Sequence, residues 1–249
     1  MGVEPIPDAP AAVADTGLER VLVVADYHAS LETQLRREGV ELNATDSQRR
    51  ERLLSLLADT DPDRLVLLGD LVTTIGKPTG EERNEIETLL AAVGVPVTIV
   101  KGNHDGEIET VVKDIDDVTV TDSGGTRLGS IGFAHGHTWP APAVLEGDVV
   151  CVAHEHPVVR LEDEVGGARA ERVWLRGNLE PAPFREQYGD QLGALSGELV
   201  VFPAFNDRSG GTWVNVDGRD FLSPFLPAGL ASAEAYLLDG TRLGPYRRL

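Results

Sequence analysis

The sequence is poor in cysteine, in lysine and in long apolar segments, and each shortage excludes a class of protein. Its one cysteine, Cys151, cannot form an internal disulfide, which fits a reducing cytoplasm. No apolar run approaches the length of a membrane span, and the first residues lack the basic start and apolar core of a secretory signal. We therefore expect a cytoplasmic protein that has no membrane partner.

The scarcity of lysine is part of an unusual charge balance. The chain has 41 acidic residues against 22 basic ones, a net charge of −19, and only three of the basic residues are lysines. The acidic residues are dispersed along the chain, which is typical of a solvated acidic surface. Strong acidity with few lysines resembles proteins of halophilic organisms, where salt screens the self-repulsion. This balance argues against a broad cationic footprint for nucleic acid.

The order of apolar patterns predicts one domain of the α/β class. Residues 1–18 read as a flexible tail, and residues 19–249 are long enough for one well-buried domain. In the first half, strand-like runs alternate with helical patterns at 46–60 and 80–94, which indicates parallel strands with crossover helices. From Val118 onward strands predominate, including "ELVVFPAF" and "TWVNV". We expect two mixed sheets packed on each other under outer helices, a four-layer α/β/β/α sandwich.

Five of the predicted strands end in a polar cluster, and these clusters contain all six histidines of the chain. Ligands of α/β sheets collect where the carboxyl ends of strands open onto loops, so we expect these side chains to meet. Unrelated structural histidines would have no reason to concentrate there. The clusters are Asp26 and His28; Asp70; Asn103, His104 and Asp105; His135 and His137; and His154 and His156.

The chemistry of these side chains indicates a pair of metal ions. Carboxylate, imidazole and amide oxygen without thiolate suit Mn²⁺, Fe or Zn²⁺ and do not suit a structural cysteine–zinc site. The potential ligands are too many for one ion, and two ions that share a bridging carboxylate account for them. We predict two divalent ions, with manganese as the expected metal and iron and zinc as alternatives.

The motifs "DYH", "LLGD", "GNHD", "AHGH" and "AHEH" occur in the order of the five motifs of calcineurin-like metallophosphoesterases, and the sequence resembles that family over residues 20 to 157. The stretches "FPAFNDRSGGTWVN" and "YLLDGTRLG" are similar to the end of small archaeal and bacterial phosphoesterases related to SbcD-type nucleases. Some of that group are associated with DNA helicases or ligases. The resemblance implies a metallophosphatase fold and a metal-dependent phosphoesterase.

The resemblance also implies a role for each motif residue. His104 would be the catalytic acid, with Asp105 beside it in a catalytic or orienting role, and His137 is an extra histidine that would contact a substrate phosphate or simply pack. Glu155, between two ligands, reads as a solvent-facing spacer, with a role beside the ligands or toward the substrate as the alternative. The metal ligands would be Asp26, His28 and His156 for one ion, Asn103, His135 and His154 for the other, and Asp70 for both.

Three functions follow from this interpretation. The first is a phosphodiesterase acting on DNA or nucleotides, as a nuclease linked to DNA repair and to helicase or ligase partners. The second is a phosphodiesterase or monoesterase for small molecules such as cyclic nucleotides or nucleotide sugars. The third, a non-catalytic scaffold, is disfavoured because no motif residue is missing. A phosphoprotein phosphatase is disfavoured too, since "GDLVTTIGKP" lacks a phosphate-clamping arginine. Candidate phosphate contacts are the arginines at 36–37 and within 49–52, and Arg160, Arg169, Arg172 and Arg176.

Overall fold

The computed structural model describes residues 2–41, 46–162 and 166–249. Short runs of valine, leucine and isoleucine form the parallel strands of a first, six-stranded sheet. Its last four strands are parallel to one another, and the first two are antiparallel. In spatial order the strands are β1 (Gly2–Pro5), β2 (Ala11–Asp15), β3 (Arg20–Ala25), β4 (Arg64–Leu68), β5 (Val97–Val100) and β6 (Val118–Thr121).

The crossovers between these parallel strands contain helices, as the alternation of patterns predicts. The helix α3 (Gly80–Ala92) buries Ile86, Leu89 and Leu90 on one face, carries glutamates in its first turn and ends before Gly94. This is the amphipathic pattern expected for 80–94, and the helix predicted over 46–60 is also present. The helices are α1 (Leu31–Arg37), α2 (Asp46–Thr60), α3 (Gly80–Ala92) and α4 (Glu109–Val112).

The second half of the chain forms an eight-stranded mixed sheet. Parallel pairs lie at its centre, and antiparallel pairs lie on both sides. Two helices, α5 (Pro142–Leu145) and α6 (Pro181–Tyr188), and single 3₁₀ turns at Gly189–Gln191 and Tyr246–Arg248 accompany it. The strands in spatial order are β14 (Arg242–Pro245), β13 (Leu230–Leu237), β11 (Ala168–Leu179), β12 (Glu198–Val201), β9 (Val149–Val152), β8 (Ile131–Phe133) and β7 (Thr126–Leu128), with β10 (Val158–Glu162) paired to β11.

The two sheets pack face to face, and helices cover both outer faces. Val23 and Leu68 of the first sheet share one core with Phe133, Cys151 and Trp174 of the second. A second core lies between the first sheet and α2, α3 and α4, and a third lies between the second sheet and α5 and α6. Such burial of apolar area on both faces of each sheet is the main stabilising contribution to a fold of this kind. The predicted α/β/β/α arrangement with two mixed sheets is confirmed.

The prediction of a flexible tail over residues 1–18 is wrong for the described part of that segment. β1 pairs with β2, and β2 pairs with β3 along its whole length. Ala12 and Ala14 are completely buried in the core between the two sheets. Alanine has little intrinsic preference for strands, and the prolines nearby suggest loop, so local patterns miss this pair. The domain therefore includes residues before 19.

A second difference concerns "TWVNV", predicted as a strand. Trp213 makes only an isolated bridge to Val158, and Thr212 and Val214 donate to backbone carbonyls in an irregular segment. The predicted strands before it are all present. Within the described ranges, none of the helices combines the length and the apolar composition needed to cross a bilayer.

The burial of β2 can be tested with a charge. Ala12→Glu places a carboxylate in the core between the sheets, and we expect it to lower the free energy of unfolding in urea by at least about 3 kcal/mol. The control is Leu18→Glu, in a turn where the leucine is 84% exposed, and it should change stability by less than about 0.5 kcal/mol. Equal stabilities of the two variants would show that the first residues do not pack in this core.

Candidate metal centre

Six carboxylate and imidazole side chains meet where the carboxyl ends of strands from both sheets reach the same edge. Within each of two groups of three, one potential ligand atom from every residue lies within 4.8 Å of the others. Each group takes residues from both sheets, so neither could form on one sheet alone. The first cluster is Asp26, His28 and His156, and the second cluster is Asp70, His135 and His154.

The backbone at these residues is strained in a consistent way. All but His135 have positive φ, a left-handed conformation that residues other than glycine rarely adopt. Each such residue costs about 1–3 kcal/mol and persists only where surrounding structure enforces it. The sharp turns aim each side chain into the site directly after a buried strand. The φ values are 52° at Asp26, 46° at His28, 45° at Asp70, 71° at His154 and 43° at His156.

Glycines let the backbone approach two of the cluster residues closely. A Cβ at Gly102, the residue that follows β5 by two positions, would lie 2.1 Å from Asp70 Oδ1. A Cβ at Gly69 would lie 2.1 Å from Cδ2 of His135. Both distances are far shorter than van der Waals contact, so a side chain at either position would clash. Only glycine allows both loops to pack closely against the second cluster. This explains why the strand "VTIV" is followed by Lys-Gly before its polar residues.

Opposite charges couple the two clusters. Asp26 Oδ1 lies 2.9 Å from Nε2 of His135 and 3.3 Å from Nε2 of His156. Burial alone would raise the pKa of Asp26, but the His156 and His135 rings lower it far below its ordinary value. Burial likewise opposes the charge on His156, yet the Asp26 carboxylate raises its pKa to about 9. The site is thus a dense set of interacting charges around Asp26.

Other rings of the site are held neutral. Burial lowers the pKa of His28 to about 4, against the opposing effect of the Asp26 and Asp70 carboxylates. Burial, followed by repulsion from His135, also lowers the pKa of His154 to about 4. Neutral imidazole is the form that binds metal ions. His28 and His154, one from each cluster, therefore offer lone pairs at neutral pH.

The donor set fits divalent metal ions. Asp26 Oδ2 and His156 Nε2 are buried and have no hydrogen-bond partner in the part of the chain that the structure describes. Buried polar atoms without a partner are costly, and a bound cation would satisfy lone pairs of this kind. Carboxylate and imidazole donors suit Mn²⁺, Fe and Zn²⁺. The family implied by the motifs is dinuclear, and the structure contains two such clusters.

The loop that follows β5 contributes its residues in different ways. The side chain of Asn103, between Gly102 and His104, is exposed. The backbone N–H of His104 donates to Asp70 Oδ1 at 3.0 Å, and the His104 ring lies 3.8 Å from Asp70 Oδ2 through Nε2. His104 Nδ1 is 2.6 Å from the Thr73 carbonyl, so it is the protonated nitrogen that donates there. His104 thereby faces the clusters without belonging to either.

Asp105 lies behind this loop and is completely buried. Its two carboxylate oxygens accept from the backbone N–H of Val72 at 3.1 Å and of Gly102 at 2.9 Å. Burial, followed by repulsion from Asp70, raises the pKa of Asp105 to about 6. Asp105 therefore ties together the loops that follow β4 and β5.

His137, the extra histidine, lies against a cluster residue. Its Nδ1 is 3.1 Å from Nδ1 of His135, and the two ring centroids are 5.2 Å apart. Burial, together with repulsion from His135, lowers the pKa of His137 to about 4. A neutral ring hydrogen-bonded to His135 holds that ring in place, as partners of metal-binding histidines generally do. A contact between His137 and a phosphate stays a prediction.

Glu155 is not a solvent-facing spacer. It is completely buried, and its carboxylate accepts from the N–H groups of Leu222 and Ser223 at 3.0 and 2.7 Å and from Thr212 Oγ1 at 2.8 Å. Because it sits between His154 and His156, it links both ligands to two loops that come much later in the chain. Local sequence gives no sign of this, since the partners lie more than fifty residues away.

The residues that the sequence reasoning missed lie in the segment 204–211. The Asn206 side chain donates to the carbonyl of His28 at 3.2 Å, and its backbone N–H donates to the carbonyl of Asp26. The carbonyl of Gly210 accepts from Nδ1 of His156 at 2.7 Å. The 204–211 segment therefore spans the first cluster from one side. The polar run "NDRSGG" directly after a predicted strand was the signal that could have indicated it.

Comparison with known proteins supports this description. The family model for calcineurin-like phosphoesterases matches residues 19–157, a range that contains every residue of both clusters. The Pseudomonas putida nuclease MPE has a similar structure, with a TM-score of 0.57 and 19% identity over 96% of this chain and 98% of that one. The E. coli phosphoesterase Yfce has a TM-score of 0.41 and 16% identity over 90% and 96% of the two chains. The similarity to the nuclease MPE shows a shared fold alone, and no curated protein matches the chain.

The buried position of Glu155 yields a prediction. Glu155→Ala leaves the buried N–H of Ser223, the partly buried N–H of Leu222 and the Thr212 hydroxyl without their acceptor, so we expect the free energy of unfolding of the metal-free protein to fall by about 3 kcal/mol in urea. The divalent-metal affinity should also fall, by about 10–100-fold, because both flanking histidines lose their support. Glu162→Ala, on an exposed strand nearby, is the matched control. If Glu155→Ala behaves like the control in both measurements, Glu155 has no structural role.

Proposed function

This chain belongs to the calcineurin-like phosphoesterase family and is a metal-dependent phosphoesterase, and we propose that it hydrolyses phosphodiester bonds of nucleic acid. The observation that carries the proposal is the meeting of two carboxylate–imidazole clusters at one edge of the two sheets, with His104 beside them. A phosphodiester needs both charge neutralisation and a proton for its leaving alkoxide, and this arrangement offers groups for each. The nuclease MPE, similar over nearly all of both chains, supports the choice of a diester.

The first cluster would hold one ion and the second cluster the other, and manganese is the metal we infer. Asn103 would complete the second set with its amide oxygen, and Asp70 would contribute to both. Support for a shared Asp70 comes from its distances, since Asp70 Oδ2 is 4.0 Å from Nε2 of His28 and 3.7 Å from Nε2 of His135. When bound, a pair of divalent ions supplies positive charge to the phosphoryl oxygens and increases the acidity of water near neutral pH.

His104 has the geometry of a proton donor to the leaving oxygen. Because Nδ1 donates to the Thr73 carbonyl, Nε2 is the nitrogen that can carry and release the transferable proton. The His104 side chain is 26% exposed, whereas the Asp70 side chain is 3% exposed, so His104 is the one a substrate can reach. Its backbone bond to Asp70 ties its position to the second cluster. Asp105 acts only by holding the backbone of these loops.

A panel of assays with Mn²⁺ tests the proposal. We expect hydrolysis of bis-p-nitrophenyl phosphate and of DNA oligonucleotides, with little on cyclic nucleotides or monoesters. Asp70→Asn should lose activity and measured metal content together, because it weakens both clusters. Asp63→Asn, which changes the same residue type at the opposite end of β4, is the control and should retain both. Cleavage of cyclic nucleotides in preference to DNA would contradict the substrate, and full metal content in active Asp70→Asn would contradict the shared carboxylate.

The role of His104 is tested by the leaving group. His104→Asn should keep its metal content, because the residues of both clusters remain, while turnover on DNA falls about 10²–10⁴-fold. p-Nitrophenolate leaves with little need for a proton, whereas a sugar alkoxide needs one. The loss on bis-p-nitrophenyl phosphate should therefore be much smaller than the loss on DNA. Equal losses on the two substrates, or loss of metal, would show that His104 holds the ions or the ground-state phosphate instead.

A further inference from the structure

An acidic protein needs a local source of positive charge to hold a polyanion. Four of the arginines that the sequence offers as phosphate contacts are already paired with carboxylates. Arg176 binds Glu198 at 2.8 Å, and Arg169 binds Glu171 at 3.3 Å. Two further arginines behave in the same way, since Arg160 pairs with Glu162 at 3.0 Å and buried Arg49 binds both Glu32 and Glu85 at 2.7 Å.

Three other arginines surround the 204–211 segment, and among the described residues none of the three has a carboxylate at hydrogen-bonding distance. Arg172 donates to the carbonyl of Ala204 at 3.0 Å. Arg52 donates to the carbonyl of Asp8 at 2.8 Å, and its guanidinium lies 5.6 Å from the centre of the Phe205 ring. In the ranges that the structure describes, neither has a carboxylate within 4.0 Å.

The third arginine, Arg208, belongs to the segment itself. Its carboxylate neighbour, Glu32, is 3.8 Å away and is already bound at 2.7 Å by Arg49. Nε of Arg208 is buried without a hydrogen-bond partner among the described residues. The Arg208 side chain is 27% exposed, and it belongs to the segment whose Asn206 and Gly210 contact the first cluster.

The segment places these three charges beside the first cluster. Asn206 binds the backbone of Asp26 and of His28, and Gly210 binds the His156 ring. Arg172 lies opposite Val158 in the β10–β11 pair, and Val158 is two residues after His156. A phosphate chain leaving the first cluster on this side would therefore meet the arginines next.

The charges also repel one another. Burial lowers the pKa of Arg172 and the Arg52 guanidinium lowers it further, while the Asp207 and Glu171 carboxylates oppose this. A cleft of about 180 Å³, lined by Arg52, Phe205, Asn206 and Asp207 among others, opens at this point. Guanidinium suits phosphate because it can donate two parallel hydrogen bonds.

We infer that Arg52, Arg172 and Arg208 form a binding site for the phosphodiester backbone of a single nucleic-acid strand, next to the bond that is cleaved. This inference rests on the proposed function, since it describes how the same substrate is held. The three arginines would bind phosphates that flank the scissile one. They confer binding without reading base sequence, as backbone contacts do.

The test compares two substrates under Mn²⁺, one with flanking phosphates and one without. Arg172→Gln and Arg52→Gln should each lower kcat/KM on single-stranded DNA about tenfold, mainly through KM. Hydrolysis of bis-p-nitrophenyl phosphate should stay within about twofold of wild type, since that substrate has no flanking phosphate. Between about 50 and 200 mM salt, the slope of log kcat/KM on DNA should become shallower by about 0.7 for each arginine removed.

The matched control is Arg169→Gln, which removes an arginine of the same strand that is paired with Glu171. It should leave both substrates unchanged. Arg172→Lys keeps the charge and should restore part of the DNA activity, which separates loss of charge from loss of structure, and Arg52→Gln tests the site independently on α2. If both glutamine variants match the control on DNA, or lose both substrates equally, the inference is overturned while the proposed function stands. Wild type that cleaves only bis-p-nitrophenyl phosphate would overturn both, and that result is visible without any variant.

Discussion

The packing of the two sheets against each other is the constraint on which the rest of this molecule depends. Each cluster takes ligands from both sheets: Asp26 and His28 follow β3, while His156 follows β9. The apolar core between the sheets sets the distance between those strand ends. A relative shift of one sheet by a single residue would move its side chains by about 3.3 Å, which is comparable with the separations inside a cluster. The positions of the cluster residues therefore depend on how the core between the sheets is packed.

The backbone conformations and the burial of the cluster residues are unfavourable, and contacts from residues outside the clusters stabilise them. Left-handed backbone, buried carboxylates and unpartnered ring nitrogens accumulate at the cluster residues. Hydrogen bonds between surrounding polar side chains and the backbone hold these conformations. Asp105 joins the loops after β4 and β5, Glu155 joins the ligand loop after β9 to distant segments, and Asn206 holds the backbone of His28. Strain at a functional site paired with such support is what pre-organisation requires.

Charge in this chain has two levels of organisation. The dispersed acidic residues give a surface that repels polyanions at low salt, and salt at 0.1 M screens this repulsion at distances beyond about 10 Å. Arg49, Arg160, Arg169 and Arg176 are held in pairs with glutamates on strands and helices. Arg52, Arg172 and Arg208 lie around the 204–211 segment, which contacts the first cluster, so a net charge of −19 says little about the potential that a substrate meets there.

Local sequence patterns predicted the strands β3, β4, β5, β8 and β9, the helices α2 and α3, and the position of all the histidines at strand ends. These features follow from short apolar runs and from the residues next to them, so they can be recognised without knowledge of distant contacts. Tertiary structure decided the rest. The alanine-rich strand β2 has weak local preference and exists because a sheet edge and an opposing sheet receive it. The burial of Glu155, the pairing of Arg176 with Glu198 and the position of Asn206 each depend on partners more than twenty residues away. No periodicity in the chain encodes such contacts, because they form only when the two sheets and their loops are already packed together.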